Sequence, residues 1–76
     1  MNVEELTEVV ARRHGFTKAF AGRVLRTVIE TIRAELRAGR PVRIRNFGTF
    51  EARESYGKVR AKFDDSENFF REGTEG

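Results

Sequence analysis

Cationic side chains fall two residues apart along residues 42–62: Arg43 and Arg45, then Arg53, then Arg60 and Lys62, with Lys58 two residues before Arg60. Apolar residues alternate with them: Val42 and Ile44, Phe50 and Ala52, Ala61 and Phe63. A period of two places one set on each face of a β-sheet. The open face would then hold Arg43, Arg45, Glu51, Arg53, Arg60 and Lys62, with Lys58 near a hairpin. Guanidinium groups on a rigid sheet make bidentate hydrogen bonds to phosphate oxygens. Like charges side by side on adjacent strands destabilise a sheet, so such a face points to an external polyanion. The competing reading is a solvated face whose long basic side chains guard against edge-to-edge pairing. A merely solvated face mixes its signs, which favours the polyanion.

Other candidate residues carry less. The chain has a single histidine, His14, and no cysteine. No glycine-rich phosphate loop or nucleophile–base pair is present, so catalysis, a cofactor and a small-molecule substrate are not expected. Asp64, Asp65 and Glu67 suit the start of a helix better than a metal site, since they lack the spacing of known cation loops. Arg26, Arg33 and Arg37 lie along one helix side with Glu30, the arrangement of a solvated face with pairs three and four residues apart. Tyr56, the only tyrosine, either packs on a neighbour in its turn or stacks on a base or sugar. Phe69 and Phe70 are adjacent and cannot both face one core. Phe70 is then exposed or at an interface, a possible contact for a protein partner.

The elements that must position these residues are readable in order. Asn2 and Glu5 have the capping-box spacing ahead of Val3, Leu6, Val9 and Val10, which predicts a helix over 3–14 closed by Gly15. Thr17 caps a second helix of about twenty residues, or roughly 30 Å. Its stripe is Phe20, Val24, Val28, Ile32 and Leu36, and Gly39 and Pro41 end it. Beyond Pro41 the period changes to two: a strand over 42–45, a tight turn at Asn46-Phe47-Gly48, a strand over 49–54, a Ser55-Tyr56-Gly57 connection and a strand over 58–63. A short helix from Asp64–Glu67, with Phe69 and Phe70 as its apolar content, closes the chain, and 72–76 are expected to fray.

Seventy-six residues make one α+β domain, too small to bury a large core alone. Without cysteine to staple it, a dimer is the expected remedy. No apolar run approaches the ~20 residues of a membrane helix and the start is not that of a signal peptide, so a cytoplasmic location is expected. The net charge is +3, but it is unevenly spread. Residues 41–62 carry 6 basic and 2 acidic side chains, and residues 63–76 carry 1 and 5. Segregation of this kind again implies an anionic partner for the strand region.

Assembled in this order, the chain resembles the bacterial histone-like HU proteins and their integration-host-factor relatives. The residues that carry the likeness are Met1-Asn2 with Glu5-Leu6, Gly15-Phe16-Thr17, Glu30-Thr31-Ile32, and above all Asn46-Phe47-Gly48-Thr49-Phe50-Glu51-Ala52-Arg53-Glu54. That last segment is similar to the family pattern Gly-Phe-Gly-x-Phe-x-x-Arg, and Phe63 and Ser66 match beyond it. The resemblance implies an intertwined homodimer over residues 1–76, associated with the nucleoid and binding duplex DNA without sequence specificity. It implies a dimer core of Val28, Ile32, Leu36, Phe47, Phe50 and Phe63, and a basic saddle of Arg43, Arg45, Arg53, Lys58, Arg60 and Lys62. Three departures stand out. Family members carry a long β-arm with a proline wedge where this chain has Ser55-Tyr56-Gly57. Asn46 replaces the first glycine, and the often basic third helix reads Asp64-Asp65-Ser66-Glu67. These departures imply weak, salt-sensitive binding with little bending. Alternatively, the fold serves as an interaction or assembly module that has lost most DNA binding.

Overall fold

A computed structural model describes residues 1–71, which hold two helices and a three-stranded antiparallel sheet. The chain divides into two compact units, residues 1–31 and the part from Ile32 onward. The first helix, α1, is Val3–His14. Its start is the expected capping box: the Asn2 side chain accepts from the Glu5 amide at 2.9 Å, and the Asn2 amide donates to Glu5 Oε1 at 3.1 Å. The second helix, α2, is Lys18–Arg37, and Thr17 Oγ1 accepts from the Phe20 amide at its start. In the first unit the two helices meet through small side chains. Thr7 and Ala21 are its buried residues, and Thr7 Oγ1 bonds back to the Val3 carbonyl at 2.7 Å. Lys18 and Glu8 tie the helices at their edge, 3.2 Å apart.

In the second unit α2 ends in a Schellman motif. The Arg40 amide reaches back to the Glu35 carbonyl at 2.9 Å, and the Gly39 amide to Leu36 at 3.0 Å. The strands are β1 (Val42–Ile44), β2 (Gly48–Ser55) and β3 (Lys58–Asp65), in the order β1-β2-β3. Opposite pairs include Val42↔Phe50, Phe50↔Phe63 and Ala52↔Ala61, so the apolar set expected on one face shares that face. At the sheet root Phe47, Phe50, Phe63 and Phe69 form an aromatic cluster, with ring centroids of Phe47–Phe69 and Phe50–Phe63 both 4.9 Å apart.

Several boundaries differ from those expected. The first strand stops at Ile44, which leaves Arg45 in the turn. The third strand continues two residues further, through Asp64 and Asp65, because Gly48 and Thr49 supply partners for them. No third helix follows among the described residues. The Ser66 amide is drawn to the Phe47 carbonyl at 2.9 Å, and Ser66 Oγ accepts from the Asn68 amide at 3.0 Å. These bonds fold 66–70 into turns, and a single isolated turn of helix is too short to compete. The expected fraying at 72–76 lies outside the described residues. The expected ion pairs of Glu30 with its arginine neighbours are not formed among the described residues.

Large apolar side chains are left open throughout. None is fully buried among the described residues, and Phe20, Val28, Ile44, Phe47 and Phe63 each expose between 38% and 49% of their surface.

Candidate nucleic-acid interface

The face of the sheet opposite the aromatic cluster is built by register. Glu51 stands across from Lys62, Arg53 from Arg60, and Ser55 from Lys58. Arg43 pairs with Thr49, and Thr49 in turn with Asp64. Five of the six expected contact residues, Arg43, Arg53, Lys58, Arg60 and Lys62, therefore share one face, and all five are exposed. Arg45 is the exception. It lies past the end of β1, so strand alternation no longer fixes its direction.

The face is less uniformly basic than the spacing implies. Asp64 joins it because β3 is longer than expected. Arg53 also has a local partner, since its Nε lies 3.3 Å from Glu51 Oε2. Directly opposed residues have Cβ atoms about 5 Å apart, so Arg53 and Arg60 still form a like-charged pair, relieved on one side by Glu51. The charge is graded along the sheet. Around the β1–β2 turn, a shallow cleft of ≈ 400 Å³ includes Arg43 and Arg45 together with Asp64 and Asp65. Away from that root, Glu51 is the one acidic residue on this face among Arg53, Lys58, Arg60 and Lys62.

The strand pairing also places these four cations on a projection. Only Gly48, Thr49 and Phe50 of β2 pair with β1, whereas β2 and β3 stay paired through Ser55↔Lys58. A two-stranded ribbon from Glu51↔Lys62 to Ser55↔Lys58 thus continues beyond the three-stranded root. The family's long arm is absent here, and this short ribbon stands in its place. Its tip is a two-residue turn, tighter than the three-residue connection expected. Tyr56 and Gly57 both have positive φ, 51° and 77°, as a type I′ hairpin turn requires.

The Asn46-Phe47-Gly48 turn sets the root. Asn46 takes φ 62°, a conformation asparagine tolerates better than most residues. Its side-chain Oδ1 accepts from Asn68 Nδ2 at 3.2 Å, and this amide link holds the last turns against the root. Nothing in the sequence signals that bond, since 22 residues separate the two asparagines. Phe69 packs on Phe47, whereas Phe70 is 88% exposed.

Comparison with known proteins agrees with this arrangement. The family model described as bacterial DNA-binding protein matches residues 1–68. Similar proteins include DNA-binding protein HRL18 of Rhizobium leguminosarum, 42% identical over 50 residues that make up 66% of this chain and 55% of that protein. DNA-binding protein HU-beta of Pseudomonas aeruginosa is 43% identical over 54 residues, 71% of this chain and 60% of its own length. The matched segment thus spans 55–60% of the length of these two relatives. Among solved structures, an HU variant from Thermotoga maritima superposes with a TM-score of 0.80 at 34% identity, covering 90% of this chain and 92% of that one. HU from Anabaena, in a cocrystal with DNA, superposes equally well at 27% identity over 91% of this chain and 92% of its own. The α+β architecture is that of these proteins, and the chain belongs to the bacterial DNA-binding protein family, the HU proteins.

Proposed function

We propose that this protein is a homodimeric, non-catalytic DNA-binding protein of the nucleoid, acting in the cytoplasm as a single domain over residues 1–76. It binds duplex DNA without sequence specificity, through phosphates. The observation that carries this reading is the register that gathers Arg43, Arg53, Lys58, Arg60 and Lys62 on one exposed face. Arg45 is proposed to contribute from the adjoining turn. The likeness to an HU solved with DNA supports the same reading. Phosphate contacts from such a face release counterions and carry no base information. Dimerisation would double the cationic set and cover Val28, Ile32, Leu36, Phe47, Phe50 and Phe63, which one chain leaves partly open. A ribbon of five residue pairs is about 17 Å long, too short to wrap far round a duplex, so binding imposes little bending.

The paired substitution Arg43→Glu/Arg45→Glu tests the root of this face. Retention on immobilised duplex should fall by at least tenfold (about 1.4 kcal/mol) while sedimentation still reports a dimer. Unchanged retention by an intact dimer would contradict the proposal and point to an assembly role for the fold.

A further inference from the structure

We propose that Tyr56, at the ribbon tip, is a stacking platform for an unpaired base of single-stranded DNA. The inference rests on the DNA-binding reading above and adds a second class of ligand to it. The Tyr56 side chain is fully exposed, at 102% of its reference surface. It therefore does not pack on a neighbour, one of the two roles its place in the turn allowed. It also occupies the first central position of a type I′ turn, with φ 51°. Asparagine or glycine suits that position, and a bulky aromatic residue is unfavourable there. The ring is thus held in a strained conformation with no packing inside the chain to offset it. Its surroundings are those of a nucleic-acid contact. Lys58 follows two residues on, and Arg53 faces Arg60 one like-facing pair down the ribbon.

Such a combination of a free aromatic face and flanking cations is the recurrent arrangement for single-stranded binding, in which cations track the backbone and rings stack on bases. A duplex offers no free base face except at its ends. Opening a duplex step carries an unstacking cost that an already unpaired base does not. The fitting ligand is a base already unpaired.

The protein supplies its own probe, because Tyr56 is its only tyrosine and it has no tryptophan. Titration with a short homothymidine oligonucleotide should quench the tyrosine fluorescence, whereas heparin, a polyanion without bases, should leave it unquenched. Tyr56→Asn suits the turn and should fold at least as stably. It should lose about tenfold in affinity for the labelled oligonucleotide by anisotropy, with duplex affinity little changed, and Tyr56→Phe should keep the affinity. Equal quenching by heparin, unquenched fluorescence at saturating oligonucleotide, or wild-type affinity in Tyr56→Asn would overturn the assignment. If duplex binding is normal in that event, the tip assignment falls alone. If neither DNA form is bound, the DNA-binding reading falls with it.

Discussion

At Gly48 the chain passes so close to β3 that a Cβ would stand 2.5 Å from the Asp64 carbonyl oxygen and 2.6 Å from two ring carbons of Phe63. Its φ of 158° lies at the margin of what other residues adopt. Gly48→Ala must therefore separate β2 from β3 at the root or displace the Phe63 ring. The expected cost is roughly 2–3 kcal/mol, read as a lower Tm at fixed protein concentration. An unchanged Tm would mean the root is looser than its geometry. This glycine was legible in the sequence as part of the Asn46-Phe47-Gly48 turn, although its reason, the close passage of β3, was not. Nor was the exposure of Tyr56. A three-residue connection leaves room for the ring to fold back, whereas the two-residue turn that forms does not. Asp64 was misread for a related reason: an acidic pair followed by serine has the composition of a helix cap, and only pairing with Gly48 and Thr49 makes it strand.

At the scale of elements, both helices were legible to their ends, because capping residues and 3.6-residue periodicity agree at each boundary. The C-terminal lock of α2 shows how side chain and backbone combine. The Arg40 guanidinium closes on the Glu35 carboxylate through Nε at 2.9 Å and a second nitrogen at 3.1 Å, alongside the backbone bond between the same residues. Hydrogen bonding from Arg40 holds the Glu35 carboxyl below its ordinary value near 4.5; desolvation opposes it, and the charge of Arg40 adds a lesser pull downward. Because this pKa is lowered on folding, the stabilisation is complete above the ordinary carboxylate range and is lost as pH falls through the folded value. Arg40→Gln should lower Tm modestly at neutral pH, with the gap to wild type closing in acid and shrinking in high salt, since the pair is exposed. A gap that persists undiminished in acid would assign the effect to the backbone bond rather than the ion pair. The strands were legible in type and order but not in length. Period-two patterning specifies which side chains share a face, while strand ends depend on which partners the neighbouring strand offers. The full extent of the ribbon was not legible for this reason, since it is the difference between the β2–β3 and β1–β2 ladders.

For the whole molecule, the decisive feature is what one chain leaves undone. The long stripe of α2 and the rings of the sheet root remain partly open, and an isolated two-stranded ribbon is marginal by itself. In the proposed dimer a second copy would cover the stripe and the rings and would set two cationic ribbons on one assembly. Composition pointed the same way, because a chain without cysteine cannot staple itself through disulfides. The dominance of phosphate contact is the central claim, and a duplex titration across a salt series tests it most directly. Each phosphate neutralised contributes about −0.9 to the slope of log K against log salt. With five cations per chain on the shared face, three of them (Arg43, Arg53 and Lys62) close to Glu51 or Asp64, roughly four to six phosphates should be neutralised by the dimer, for a slope of about −4 to −5. A slope near zero, with binding intact, would contradict the account.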